Sequence, residues 1–133
     1  MRLLDASVWA ALALPEDEYH AAAGELVDSG GPLMALDLTL FEVANVVAVK
    51  AKKPQRAQRL SRLIVKRCGN QVLRVDLDLG DAAIDVASTH GLTAYDAAYV
   101  AAARRYGWTL VSADIADLVS KGLAVTPDAA VYP

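Results

Sequence analysis

Four brief apolar or β-branched runs, Arg2–Leu4, Leu33–Leu36, Val72–Val75 and Thr109–Val111, alternate along the chain with stretches of helical periodicity. No other feature constrains the fold as tightly. Runs this short and this apolar read as strands covered on both faces. Strands separated by helices need crossover connections, so the expectation is an α/β fold with a mostly parallel sheet and helices on both sides. Glycine and proline mark the helix limits. Glu16–Val27 follows Pro15 and stops at Ser29-Gly30-Gly31-Pro32, and Leu38–Lys52 follows Asp37, a plausible N-cap, and breaks at Pro54. The helix Gln55–Arg67 ends at Gly69-Asn70, Asp81–Thr89 ends at Gly91, and Ala94–Tyr106 ends at Gly107. The 133 residues suit one domain, 1–133, because roughly 100–200 residues is the usual allotment. With 55% hydrophobic residues there is ample material for a core. No stretch free of Asp, Glu, Lys and Arg exceeds ten residues, which excludes a spanning helix of the ~18 or more apolar residues that a membrane requires. Asp5 interrupts the first apolar run, so no secretory signal is expected. Cys68 alone can form neither an internal disulfide nor a cysteine-based zinc site, which predicts a reducing, cytoplasmic setting.

The formal net charge of -3 argues at first against a nucleic-acid partner. Its distribution argues otherwise. Val43–Val75 contains no acid and holds nine of the thirteen basic residues, including Lys50, Lys52, Lys53 and Arg56. All sixteen acids fall in the remainder, so a cationic surface is separated from an anionic site. A solvated Lys/Arg helix face would give the same pattern, but the acid-free neighbourhood favours contact with a polyanion.

Several acids stand where chemistry would need them. Asp5 directly follows the first strand, and Asp114 follows the last after Ser112-Ala113. Both should project from the carboxyl edge of the sheet, where open α/β folds bind ligands, although Asp is also common in turns and helix caps. Glu42 is the only charge in Leu38–Val49, and Asn45 is its only amide. A carboxylate in so apolar a helix costs several kcal/mol unless a cation or hydrogen-bond donors compensate. Asn45, three residues on, shares its face and can support Glu42 or a neighbouring acid, and a partner arginine would serve as well. Asp96 lies three residues after Thr93 in a capping-box pattern and leads an alanine-rich helix expected to pack inside the protein. Such carboxylates cannot gather unneutralised, and oxygen-only donors without an accompanying His or Cys suit Mg2+ or Mn2+. Trp9 and Phe41 read as core, and Tyr95 and Tyr99 as packing on one helix face, although a tyrosine beside Asp96 could stack on a base. His20 and His90 have no partner motif, and no Ser-His-Asp order, Cys-His order or Gly-rich phosphate loop is present.

Leu4-Asp5-Ala6-Ser7, Glu42 with Asn45, Leu92-Thr93-Ala94-Tyr95-Asp96-Ala97-Ala98-Tyr99 and Leu110-Val111-Ser112-Ala113-Asp114 together resemble the PIN-domain ribonucleases, most of all the VapC toxins of prokaryotic toxin–antitoxin pairs. The resemblance covers essentially the whole chain. It implies a PIN-like three-layer α/β/α fold around a mostly parallel sheet of four to five short strands. It also implies that Asp5, Glu42, Asp96 and Asp114 form an acidic quartet holding Mg2+ or Mn2+. Ser7 and Ser112 then correspond to hydroxyls beside the first and last acids, and Asn45 to the polar residue that props the second. Asp117 is either a fifth acid or a solvated residue of a helix Ile115–Ser120. One or two such ions can offset phosphate charge, activate water and stabilise the leaving oxygen. Lys50, Lys52, Lys53 and Arg56 would hold the RNA backbone. A VapB-like antitoxin and a homodimer are the partners the resemblance implies. Two rival readings remain at this point: a non-catalytic PIN-like RNA-binding module, and a Mg2+-dependent phosphatase with Asp5 as nucleophile. Ser7 stands where the latter's second aspartate would be.

Overall fold

A computed structural model describes residues 1–132. Its four strands are β1 (Arg2–Leu4), β2 (Leu33–Leu36), β3 (Val72–Leu73) and β4 (Thr109–Val111), all parallel in the order β3-β2-β1-β4. Arg2 pairs with Leu33 on one side and Thr109 on the other, and Ala35 pairs with Val72. A bridge from Val111 to Val125 extends the edge beyond β4. The fold is the expected three-layer α/β/α arrangement.

Alternate strand residues point to opposite sides, and this period of two divides the apolar residues into two cores. Leu4, Leu33, Ala35 and Val111 join one core, packed by α1 (Ala6–Ala13), α2 (His20–Asp28), α3 (Leu38–Val43) and α4 (Pro54–Cys68). Leu3, Met34, Leu36 and Leu110 join the other, packed by α5 (Leu77–His90) and α6 (Ala94–Tyr106). Because both faces are covered, the strands carry continuous apolar runs rather than an in–out alternation. The alanines of α6 let it lie close to the sheet, and Ala97–Ala103 are all buried, as expected from the sequence. A short α7 (Pro127–Val131) completes the first face.

The elements differ from the sequence reading in instructive ways. The expected helix Leu38–Lys52 is α3 followed by a π-helical segment, Ala44–Lys50. That helix is also less buried than its composition suggests. Phe41 is 82% exposed rather than core, because the helix covers the sheet with its Thr39, Val43 and Val47 face and turns Phe41 outward. Trp9, by contrast, is fully buried. Asp37 does not cap α3 with its side chain; its carboxylate accepts the Val75 amide instead, at 3.3 Å. The helix after Pro15 begins only at His20, because Asp17 folds the preceding acids into a turn by accepting the Tyr19 amide at 2.9 Å. Among the described residues, no helix is long and apolar enough to cross a membrane.

Candidate functional site

The chain leaves β1 toward β2 and β3, then returns to β4 on the far side of β1. Connections therefore diverge at the carboxyl ends of β1 and β4, the place where open α/β sheets form a ligand crevice. A cleft of about 570 Å3 opens there, lined by Asp5, Glu42, Asp96 and Asp114, with Ser7, Asn45 and Lys50 beside them.

Asp5 is only 4% exposed and caps α1. Its Oδ1 accepts the Ser7 amide at 3.0 Å, the Val8 amide at 3.3 Å and the Ser7 hydroxyl. The Ser7 Oγ in turn accepts the Ala113 amide at 2.9 Å and lies 3.4 Å from the Ser112 Oγ, which accepts the Asp114 amide at 3.0 Å. The two hydroxyls thus tie the loop after β1 to the loop after β4. Burial pushes the Asp5 carboxyl up to about 6; Ser112, Ser7 and the Val8 amide oppose this, and the Asp96 charge adds to it.

Glu42 is held by a directed relay. The Tyr99 hydroxyl donates to Glu42 Oε1 at 2.7 Å and lies 2.7 Å from the Thr39 Oγ1, which accepts the Leu36 amide at 3.3 Å. With its proton committed to Glu42, the phenol must accept from Thr39. Both supporting side chains are buried, Tyr99 at 1% and Thr39 at 0% exposure. Burial raises the Glu42 carboxyl above its usual range; the Tyr99 bond opposes this, while the charges of Asp5 and Asp96 reinforce it. No hydrogen bond joins Asn45 to Glu42; Asn45 is exposed and faces the cleft. The sequence reading treated Tyr99 as packing and passed over Thr39. The available signal was the i, i+3 spacing of Thr39 with Glu42 and of Asp96 with Tyr99, which puts each pair on one helix face.

Asp96 stands in the first turn of α6, its amide donating to the capping Thr93 hydroxyl at 3.2 Å. Asp114 caps a π-helical turn, Ile115–Val119, by accepting the Asp117 amide at 3.0 Å. Asp96, Asp114 and Asp117 can each present a carboxylate oxygen such that all lie within 4.8 Å of one another. Burial raises the Asp96 carboxyl, the charges of Asp114 and Asp117 raise it further, and the Thr93 bond opposes them. No arginine answers these acids: among the described residues the one ion pair joins exposed Arg105 to Asp76, at 3.7 Å. Converging, unpaired and partly desolvated carboxylates fit a hard divalent cation, with oxygen donors throughout.

The π-helical segment determines which base reaches this cleft. Its i→i+5 pattern, seen where the Ala51 amide meets the Val46 carbonyl at 3.0 Å, widens the helix. In α-helical register Val49, seven residues on, would share the Glu42 face; here Lys50 lines the cleft instead and Val49 is exposed. Lys52, Lys53 and Arg56 lie apart, lining a separate hollow of about 330 Å3 with Arg59. Arg56 also donates to the Ala13 carbonyl at 3.1 Å. Arg67 donates to the Val27 and Gly31 carbonyls at 2.8 and 2.6 Å, so it serves the fold.

The family model described as the PIN domain matches residues 2–117. Ribonuclease VapC3 of Pyrobaculum aerophilum is 32% identical over 116 residues, covering 84% of this chain and 88% of that protein. Among solved structures, PAE2754 of Pyrobaculum aerophilum superposes with a TM-score of 0.75 at 27% identity, covering 98% of this chain and 86% of the other. Mycobacterium tuberculosis VapC20, described as a sarcin-ricin loop cleaving toxin, superposes with a TM-score of 0.76 at 22% identity, covering 92% and 95%.

Proposed function

Because the chain belongs to the PIN-domain family, we propose that it is a Mg2+- or Mn2+-dependent endoribonuclease, the toxin of a VapBC-type toxin–antitoxin pair. The observation that carries this reading is the convergence of Asp96, Asp114 and Asp117 beside buried Asp5 and half-buried Glu42, with no arginine or lysine among the described residues paired to any of them. Asp5, Glu42, Asp96 and Asp114, with Asp117, hold the metal. A bound divalent cation offsets the charge of the scissile phosphate and lowers the pKa of water. The chain's own residues supply the rest. Tyr99 and Thr39 fix the Glu42 carboxylate, Ser7 and Ser112 fix the loops carrying Asp5 and Asp114, and Lys50 faces the phosphate. Lys52, Lys53 and Arg56 grip the backbone away from the scissile bond, giving affinity without reading sequence. A VapB-like antitoxin is the partner, a reading supported by the likeness to VapC relatives and to a solved toxin–antitoxin complex from Klebsiella pneumoniae; a second copy of the chain follows from the family resemblance alone.

The test is incubation of RNA with the purified protein in Mg2+ or Mn2+, with and without EDTA. Cleavage should require the metal and fall by at least about a hundred-fold in Asp96→Asn, as loss of a metal-holding group implies. Intact RNA under both metals, with binding retained, would leave the binding module; acyl-phosphate labelling of Asp5 would leave the phosphatase.

A further inference from the structure

The outer edge of β4 is paired over only part of its length. In a parallel ladder each partner residue donates its amide to one carbonyl of the strand and accepts from the amide two residues further on. Val125 fills one such place: its amide donates to the Leu110 carbonyl at 2.9 Å, and its carbonyl accepts the Ser112 amide at 2.9 Å. The preceding place, between the Trp108 carbonyl and the Leu110 amide, has no occupant among the described residues. Both groups point away from β1, because on that side the Thr109 amide meets the Met1 carbonyl and the Asp5 amide meets the Val111 carbonyl. In register Leu123 would fill it, but the chain turns at Gly122, φ +72°, and the Leu123 amide goes to the Leu118 carbonyl at 3.0 Å. Leu110 is 3% exposed, so its amide is a buried strand donor without an acceptor, a condition rare in folded chains.

A hollow of about 430 Å3 opens at this place, within the roughly 300–1,000 Å3 of ligand sites. Val100, Ala103, Trp108 and Leu123 give it apolar walls, and Arg104 is its one charged lining residue. Arg104 Nη2 lies 3.3 Å from His90 Nε2, and the other guanidinium donors have no partner among the described residues. The hollow is remote from the acidic cleft, since Arg104 lies eight residues beyond Asp96 on α6, about 12 Å along the axis. Its groups specify an occupant. The Trp108 carbonyl needs an N–H, the Leu110 amide an acceptor, Arg104 a negative charge and the walls an apolar side chain. A strand entering parallel to β4 also has to stop there, because Val125 already fills the next place. We infer that this hollow receives the C-terminal residue of a peptide whose last side chain is apolar. Its amide donates to Trp108, and its α-carboxylate accepts from Leu110 and Arg104, which adds one residue to the sheet edge. The inference stands apart from the nuclease reading.

The probe is N-acetylphenylalanine, a peptide end reduced to one residue, titrated into isotope-labelled protein and followed by amide correlation spectra. The Leu110 amide resonance should move saturably, with a dissociation constant of about 1 mM or tighter. Three analogues each lack one group: N-acetylphenylalaninamide the charge, hydrocinnamate the N–H, and N-acetylglycine the apolar side chain. Each should bind about ten-fold more weakly or worse. Arg104→Gln should weaken N-acetylphenylalanine about ten-fold. His90→Ala should leave its affinity unchanged, because Arg104 meets the carboxylate directly. Arg104 is exposed, so folding is not at stake, and the same spectra check it. Any one of four results would overturn the inference: no saturable shift at Leu110, shifts at Asp5 and Asp96 in its place, an analogue that binds as tightly as the probe, or wild-type affinity in Arg104→Gln.

Discussion

Asp5 illustrates how one residue can serve fold and site in opposition. As an N-cap it satisfies the first amides of α1, while its burial without a cation makes the charged form unfavourable. Its carboxyl titrates near 6 in the folded protein against about 3.8 ordinarily, so between these values the folded state holds more protons than the unfolded state. Stability therefore falls as pH rises through this window, by on the order of 3 kcal/mol for the full shift. Asp5→Asn keeps an oxygen acceptor for the cap and removes the charge. It should stabilise the metal-free protein at pH 7 and above, with the gain fading below pH 6 and gone below pH 4; urea unfolding across pH in EDTA measures it. An unchanged midpoint at neutral pH would contradict the assigned burial penalty. Tyr99 makes the complementary case. Tyr99→Phe leaves the Glu42 carboxylate and the Thr39 hydroxyl each short of a partner, which should destabilise the fold by ~1–3 kcal/mol. As a positioning group behind Glu42 it should also lower metal affinity about ten-fold, read by Mn2+ titration at a temperature where the variant is fully folded. The charge of Glu42 and its isolation in an apolar run were legible in the sequence. Its hydroxyl partner was not, because a tyrosine in an alanine-rich helix looks like packing until its oxygen is placed.

Helix termini do much of the organising at the scale of elements. Asp5 and Asp114 cap short helical segments, and Asp96 stands in the first turn of α6. The positive ends of these helices therefore face the cleft and partly offset the gathered negative charge. Thr93 anchors this for α6 by accepting the Asp96 amide, so Thr93→Ala should cost ~1 kcal/mol in urea unfolding while Thr93→Ser keeps the cap. Equal losses for both variants would show that the methyl group, not the hydroxyl, matters. Strand runs, glycine stops and the ends of α6 were readable because each has a local cause. The π-helical segment Ala44–Lys50 was not: periodicity reading assumes the α-helical repeat, and nothing local in Ala-Asn-Val-Val-Ala-Val-Lys announces a wider turn. Yet that turn carries Lys50, rather than Val49, to the cleft.

For the whole molecule, the net charge of -3 conceals two separated regions, an acid-lined cleft and a hollow formed by Lys52, Lys53, Arg56 and Arg59. Phosphate contacts release counterions, so Lys52→Gln combined with Lys53→Gln should flatten the salt dependence of RNA binding by up to about two units of slope. Arg56 is a poorer probe because its removal also strips the Ala13 carbonyl. A salt titration matching wild type would remove this hollow from the RNA path. The acid-free, base-rich segment Val43–Val75 was plain in the sequence, but not which of its members are free. Arg67 is spent on the Val27 and Gly31 carbonyls, a contact between positions far apart in the chain. By itself the sequence determined the alternating strand–helix order, the identity of the acids and their family pattern, because these depend on local periodicity and residue chemistry. Only the tertiary structure decided that Asp117 joins Asp96 and Asp114, that Tyr99 holds Glu42, and that Phe41 faces solvent. Each of those depends on where separate elements meet across the sheet, and no local pattern encodes that distance.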